Sequence, residues 1–171
     1  MTRDDGTTND VMAALRQIIR AIDLHSKYLV QRFGLTGPQL VVLKELGGAD
    51  PLTVSQLSQA VNLSQATVTG ILDRLERKAL ITRLRSEADK RKVLVQRTAA
   101  AEAMLESAPP LLQEHFIARF SRLADWEQTQ ILSSLQRIVA LMEADDVEAG
   151  PILTTGPLDS TPEQTRAFLD D

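Results

Sequence analysis

The stretch NLSQATVTGILDRLERKALITRLRSEADKRKVLVQR, Asn62 to Arg97, decides the fold. It reads as a helix followed by a two-stranded hairpin with a basic tip. It carries nine cations (Arg74, Arg77, Lys78, Arg83, Arg85, Lys90, Arg91, Lys92, Arg97) against four acids (Asp73, Glu76, Glu87, Asp89). That is a local net of +5 in a chain whose total is −4, so the other 135 residues sum to −9. An acidic chain that gathers its positive charge into one compact unit aims that unit at a polyanion.

Ser64 is a good N-cap for the helix, its hydroxyl placed to accept from the free amides of the first turn. Val68, Ile71 or Leu72, and Leu75 then recur every three or four residues as one buried stripe. The first turns of the other face are small and polar: Ser64, Gln65, Ala66, Thr67 and Thr69. Such side chains let a helix end approach a groove floor. Gln pairs with adenine, and Ala or the Thr methyl can touch the thymine methyl. Arg74 and Arg77 lie further along, where phosphates would run. Taken alone, the same helix also fits an ordinary solvated amphipathic helix.

Its neighbours decide between these. Upstream, Thr53 to Val61 reads as a short helix capped by Thr53, with Leu57, Ala60 and Val61 apolar. Asn62-Leu63 makes a tight turn into the Ser64 helix. Two short helices so joined form the helix-turn-helix pattern, whose second helix enters the major groove. Downstream, Ile81 to Arg85 alternates like a half-exposed strand, and Val93-Leu94-Val95 is its return. Between them Ser86 to Lys92 is a charged tip. Lys90, Arg91 and Lys92 suit the electronegative minor groove or its flanking phosphates, although exposed turns are commonly charged.

On these residues the stretch resembles the winged helix-turn-helix of the MarR family of bacterial transcription regulators. The matching pieces are S-x-A-T-V-T (Ser64, Ala66 to Thr69), L-x-R-L-E-R-K (Leu72, Arg74 to Lys78), L-I-x-R (Leu80, Ile81, Arg83) and D-x-R (Asp89, Arg91). Leu35, Thr36, Gln39 and a Leu52 to Ala60 helix also fit, and the likeness spans about Leu15 to Leu141. Two departures stand out. Ala79 replaces the Gly that usually ends the recognition helix, at a cost of about 1 kcal/mol if the left-handed turn is kept. Arg97 to Ala101 replaces L-T-x-x-G.

The resemblance implies a mainly α fold with a small β-hairpin wing, a winged helix-turn-helix joined to a helical dimerisation region. The regulator would span 11–144, with dimerisation helices at 11–33 and 99–144, the winged helix-turn-helix at 35–97, and tails at 1–10 and 146–171. It implies a homodimer with double-stranded DNA as partner. The recognition helices would sit roughly 34 Å apart on a pseudo-palindromic site. Expected DNA contacts are Ser64, Gln65, Ala66, Thr67, Thr69, Arg74, Arg77, Arg85, Asp89, Lys90 and Arg91. Arg91 would reach the minor groove, with Asp89 fixing it.

Working outward, Val11 to Phe33 reads as a long helix ended by Gly34. Thr36 caps a helix with Pro38 in its first turn, running to Leu46. The loop Gly47 to Pro51 follows. Beyond the wing, Thr98 to Ala108 is helical. Pro109-Pro110 either kinks one long helix or starts a new one that continues through Leu112, Phe116, Ile117 and Phe120, and the single long helix that the resemblance implies favours the kink. Asp125 can cap the next helix, whose residues Trp126, Ile131, Leu132, Leu135, Ile138, Val139 and Met142 approach a heptad suited to a partner helix. In the tail, Thr161-Pro162-Glu163 can start a short helix ending near Leu169. Ile152, Leu153, Leu158, Phe168 and Leu169 can dock on the body or a partner. A partly disordered acidic end is the alternative.

Composition fits a soluble globular chain, with 43% hydrophobic, 25% charged and only 4% aromatic residues. No cysteine is present, which removes disulfides, thiolate metal sites and the family's peroxide-sensing cysteine branch. Met1 to Asp10 has no apolar h-region and no stretch reaches transmembrane length, so a cytoplasmic protein with no membrane association is expected. His25 and His115 are the only histidines, too few for a histidine metal site. No cofactor is expected. No nucleophile elbow or Gly-rich phosphate loop points to an enzyme.

Many MarR-like proteins bind a small ligand between the dimerisation helices and the DNA-binding lobe. Arg16, Arg20, His25 and Tyr28 are the candidates for such a pocket, although surface or core-edge roles explain each more simply. The opening Leu15 to Leu40 is similar to MarR-type regulators of compatible-solute (ectoine and glycine betaine) genes, which implies an osmotic or ionic signal. The leading reading is a homodimeric DNA-binding regulator, most often a repressor in this family. The alternative is a winged-helix protein–protein interaction module, which an apolar recognition face would favour.

Overall fold

Helix α1 (Asp4–Phe33) opens the structure, a computed structural model that describes residues 4–47, 50–86, 89, 90, 92–147, 149–156, 158 and 160–170. A polar tail was expected over 1–10, but the helix already includes 4–10. That segment has no proline, and once the apolar part is helical each further residue adds a backbone bond at little cost. Gly34 ends α1 at φ +63°, where a side chain would be strained.

The chain forms two units, Met1–Ala108 with Pro151–Asp171, and Pro109–Gly150. In the first unit, α2 (Gly37–Glu45) has Thr36 at its N-cap and Pro38 in its first turn. Gln39 Oε1 accepts from the Thr36 N–H at 3.2 Å, while the Thr36 hydroxyl finds no partner. The expected Thr36 cap therefore works through Gln39 alone.

Strand β1 (Leu52–Thr53) replaces the helical start expected at Leu52, because both residues pair with a later strand. Helix α3 (Val54–Ala60) begins only after Thr53, whose hydroxyl accepts from Gln56 N–H at 3.2 Å. Asn62 turns the chain at φ +52°, a conformation Asn tolerates. Helix α4 (Gln65–Arg77) follows, with Ser64 Oγ accepting from Thr67 N–H at 3.1 Å. It buries Val68, Ile71, Leu72 and Leu75 completely against a core that includes Leu40, Leu43 and Leu57. Each such side chain contributes about 2 kcal/mol of apolar burial.

Ala79 takes φ +57°. Its N–H donates to Glu76 O and the Leu80 N–H to Leu75 O, a helix end usually built on Gly. Strands β2 (Ile81–Arg85) and β3 (Val93–Arg97) form the hairpin. The sheet has three antiparallel strands in the order β1-β3-β2, one more than expected, with Val95 opposite both Leu52 and Arg83. Thr98 locks its base: its N–H donates to Leu80 O at 3.0 Å and its hydroxyl to Ala79 O at 2.9 Å. The same hydroxyl accepts from Ala101 N–H to start α5 (Ala99–Ser107).

The C-terminal segment returns to this unit. Helix α8 (Pro162–Asp170) packs on α1. Thr155 donates its hydroxyl to Asp23 Oδ1 at 2.7 Å and its N–H to Ser26 Oγ at 3.3 Å. Ile152 is buried, Leu158 half-buried and Leu153 exposed. The side chains of Phe168 and Leu169, also expected to dock, lie outside the described residues. The described residues 151–156 and 160–170 are thus anchored to this unit rather than forming a plain tail.

The second unit holds α6 (Leu112–Phe120) and α7 (Asp125–Leu141). The expected kinked continuation is instead a break. Helix α5 stops at Ser107, and Ala108 is extended at ψ 136°. A residue before proline is pushed out of the helical region, and Pro110 repeats the constraint on Pro109. Asp125 was expected to cap α7, yet Ala124 occupies that position and Glu127 Oε2 accepts its N–H at 2.9 Å. Phe116 and Phe120 stack on α6 with centroids 5.3 Å apart. No described residue from Leu112 to Val147 is buried. Leu132 is 54% exposed, with Leu135, Val139 and Met142 also open.

Candidate nucleic-acid interface

The outward side of α4 carries the residues chosen from the sequence. Ser64, Gln65, Ala66 and Thr69 are exposed and Thr67 is half-buried. Their hydroxyls are largely engaged within the chain. Ser64 Oγ caps the helix and lies 2.8 Å from Thr67 Oγ1. Thr69 Oγ1 donates to Gln65 O at 2.7 Å. The Gln65 amide, the Ala66 methyl and the Thr69 methyl are what this turn presents outward.

One and two turns further lie the cations. Arg77 is exposed and its Nε donates to Asp73 O at 3.2 Å. Arg74 is half-buried. Gly70 sits between these groups on the same side, and a Cβ added there would meet nothing within 4 Å.

Arg83 behaves differently from the other wing cations. Its guanidinium bridges back to α4, reaching Asp73 Oδ1 at 2.6 Å and Glu76 Oε2 at 3.3 Å. It anchors the wing on the helix, and it cancels two of the acids that would otherwise oppose a polyanion. Sequence reasoning counted Arg83 only as charge. The signal was its place two residues from buried Ile81, on the same face of β2.

In the wing, Arg85 and Lys90 are exposed and Asp89 is half-buried. Asp89 O accepts from Lys92 N–H at 2.9 Å, and Ser86 Oγ accepts from Asp89 N–H at 3.3 Å, so this residue shapes the tip. Arg91, the expected minor-groove residue, lies outside the described residues.

The four ligand candidates are not brought to one cavity. Arg16 and Arg20 flank an open groove along α1 with Ala13, Gln17, Ala21 and Leu24. His25 is nine residues beyond Arg16, about two and a half turns, which puts it on the other side of the helix. Tyr28 meets Phe33 edge to face, with centroids 6.1 Å apart. His115 is exposed on α6. Among the described residues no group of three or more His, Cys, Asp or Glu is placed to hold a metal ion. Nor is any helix there long and apolar enough to cross a membrane.

Two contacts near the end of α4 were not foreseen. Lys78 Nζ donates to Gly34 O at 2.9 Å, tying the end of α4 to the turn after α1. Thr161, Pro162 and Glu163, at the start of α8, line a depression of about 170 Å³ together with Arg74, Arg77 and Lys78. The Glu163 carboxyl is held below the usual carboxylate range, first by a hydrogen bond from its own backbone N–H and then by one from Thr161. The charges of Lys78 and Arg166 add to this.

Comparison with known proteins accords with this geometry. Residues 35–93 match the MarR family model. The chain is 26% identical over 129 residues to the uncharacterised HTH-type transcriptional regulator YsmB of Bacillus subtilis (strain 168), covering 75% of this chain and 88% of that one. It is 28% identical over 139 residues to the HTH-type transcriptional repressor NicR of Pseudomonas putida, covering 79% and 88%. Among solved structures, Staphylococcus aureus MepR in complex with DNA superposes with a TM-score of 0.56 at 23% identity, covering 76% of this chain and 96% of that one.

Proposed function

We propose that this chain, whose residues 35–93 match the MarR family model, is a MarR-family transcriptional regulator that acts as a homodimeric repressor on a pseudo-palindromic operator in double-stranded DNA. The observation that carries the reading is the outward face of α4. It opens with Gln65, Ala66 and Thr69 and continues into Arg74 and Arg77, with Arg85 and Lys90 on the adjoining wing. Small groups at the helix start let it enter a major groove, and the cations meet phosphates on either side. Repression is favoured by the likeness to the repressor NicR.

The dimer is supported by the apolar side chains that α6 and α7 leave open. Two helices without a buried residue of their own need a second surface. A two-fold pair would present two α4 helices about one DNA turn apart. The finer resemblance to regulators of compatible-solute genes makes an osmotic or ionic signal, or a small molecule, the effector. The side of α1 that carries Arg16 and Arg20 is where it would be met.

Selection of sites from a random DNA pool with the full chain, repeated across salt concentrations, tests this. An enriched pseudo-palindrome with half-sites about one turn apart, and affinity falling steeply with salt, is expected. Absence of enrichment together with salt-independent binding would overturn it.

A further inference from the structure

We propose that the start of α8 is an intramolecular brake on DNA binding, with the Glu163 carboxylate set beside the cations of α4 that would otherwise meet DNA phosphate. The inference rests on the DNA-binding reading above. The segment Pro151 to Asp171 carries four acids against one arginine, and it lies beyond the matched family region. It is held in place: Ile152 is buried, Thr155 bonds Asp23 and Ser26, and Ser160 and Thr165 are buried. This anchoring brings Thr161, Pro162 and Glu163 to the rim of the depression that Arg74, Arg77 and Lys78 also line.

Glu163 itself is exposed, so its charge acts outward as well as on its neighbours. Its proton affinity is lowered first by hydrogen bonds from its own backbone N–H and from Thr161, and the charges of Lys78 and Arg166 add to this. A phosphate approaching Arg77 at that rim also meets the negative charge of Glu163, which lines the same depression. The cations are then partly neutralised before DNA arrives. Fewer counterions are released on binding, and non-specific affinity falls.

The test uses the full chain, a mixed-sequence duplex of about 30 base pairs and a salt series. Glu163→Gln and Glu163→Lys are compared with Asp10→Asn, which removes the same charge from the exposed far end of α1. Glu163→Gln should bind about 2- to 5-fold tighter at low salt, and Glu163→Lys about 10-fold or more, with both gains shrinking as salt rises. Asp10→Asn should change affinity much less. If wild type binds and Arg77→Ala weakens it, but neither Glu163 variant exceeds Asp10→Asn, the brake is wrong and the DNA-binding reading stands. If wild type shows no salt-dependent binding, both fall.

Discussion

Two small residues, Gly70 within α4 and Ala79 just past its end, set opposite demands on stability. Gly70 lies mid-helix with open space where a Cβ would be, so nothing inside the chain requires it. Gly70→Ala should raise stability by about 0.5–1 kcal/mol, read as a higher denaturant midpoint. Under the proposed function the added methyl also stands between α4 and the groove, so the same variant should bind DNA more weakly. A more stable variant with unchanged affinity would show that α4 does not approach DNA at Gly70. Ala79 is the converse case, a side chain held at φ +57°. Ala79→Gly should stabilise by about 0.5–1 kcal/mol, because relief of left-handed strain outweighs the extra freedom of the unfolded chain. A thermal melt that does not move would mean the strain is already relieved by neighbouring angles.

At the scale of elements, the Arg83 bridge holds β2 to α4. Its guanidinium is about a quarter exposed, so screening limits its worth. Arg83→Gln should cost about 0.5–1 kcal/mol, and a double-mutant cycle with Asp73→Asn should return a coupling of about 0.5 kcal/mol. Zero coupling would assign the wing's attachment to the Val95 core and the Thr98 bonds instead. What sequence made legible follows the range of the forces involved. The caps Thr53 and Ser64 act over three residues and were read correctly, as was the buried stripe of α4. Strand β1 was missed because its two residues extend only to pair with Leu94 and Val95, about forty positions later. The α5–α6 break departs from the continuous helix that the family likeness implies, because Pro109 bars Ala108 from the helical region. In the candidate site, the charges of α4 and the wing were legible. That Ser64, Thr67 and Thr69 spend their hydroxyls locally was not, since small polar residues look alike until geometry assigns their bonds.

For the whole molecule, the apolar side chains that α7 leaves exposed form an unfinished surface. Leu132→Asp combined with Leu135→Asp should convert the proposed dimer to monomer in sedimentation velocity. It should lower affinity for a two-half-site operator by about 100-fold or more, since one arm then binds alone. An unchanged sedimentation coefficient would move the dimer contact elsewhere. The pH dependence of α8 docking follows from Glu163. Its folded value is depressed, so its contribution is present above the ordinary carboxylate range and is lost as pH falls through the folded value. Hydrogen exchange at α8 amides should therefore rise more at pH 3 than the intrinsic rate predicts.

Because no helical ladder crosses from Ser107 to Leu112, the two stretches of chain on either side need not melt as one. Trp126, the only tryptophan, stands in α7 and is 68% exposed. Its fluorescence reports the 109–150 stretch alone, while far-ultraviolet circular dichroism is dominated by the 30-residue α1 and its companions. A tryptophan transition that precedes the dichroism transition, and moves toward it as protein concentration rises, would reveal two cooperative blocks joined by mass action. Coincident curves at every concentration would mean that the proline pair interrupts the backbone without dividing the cooperativity.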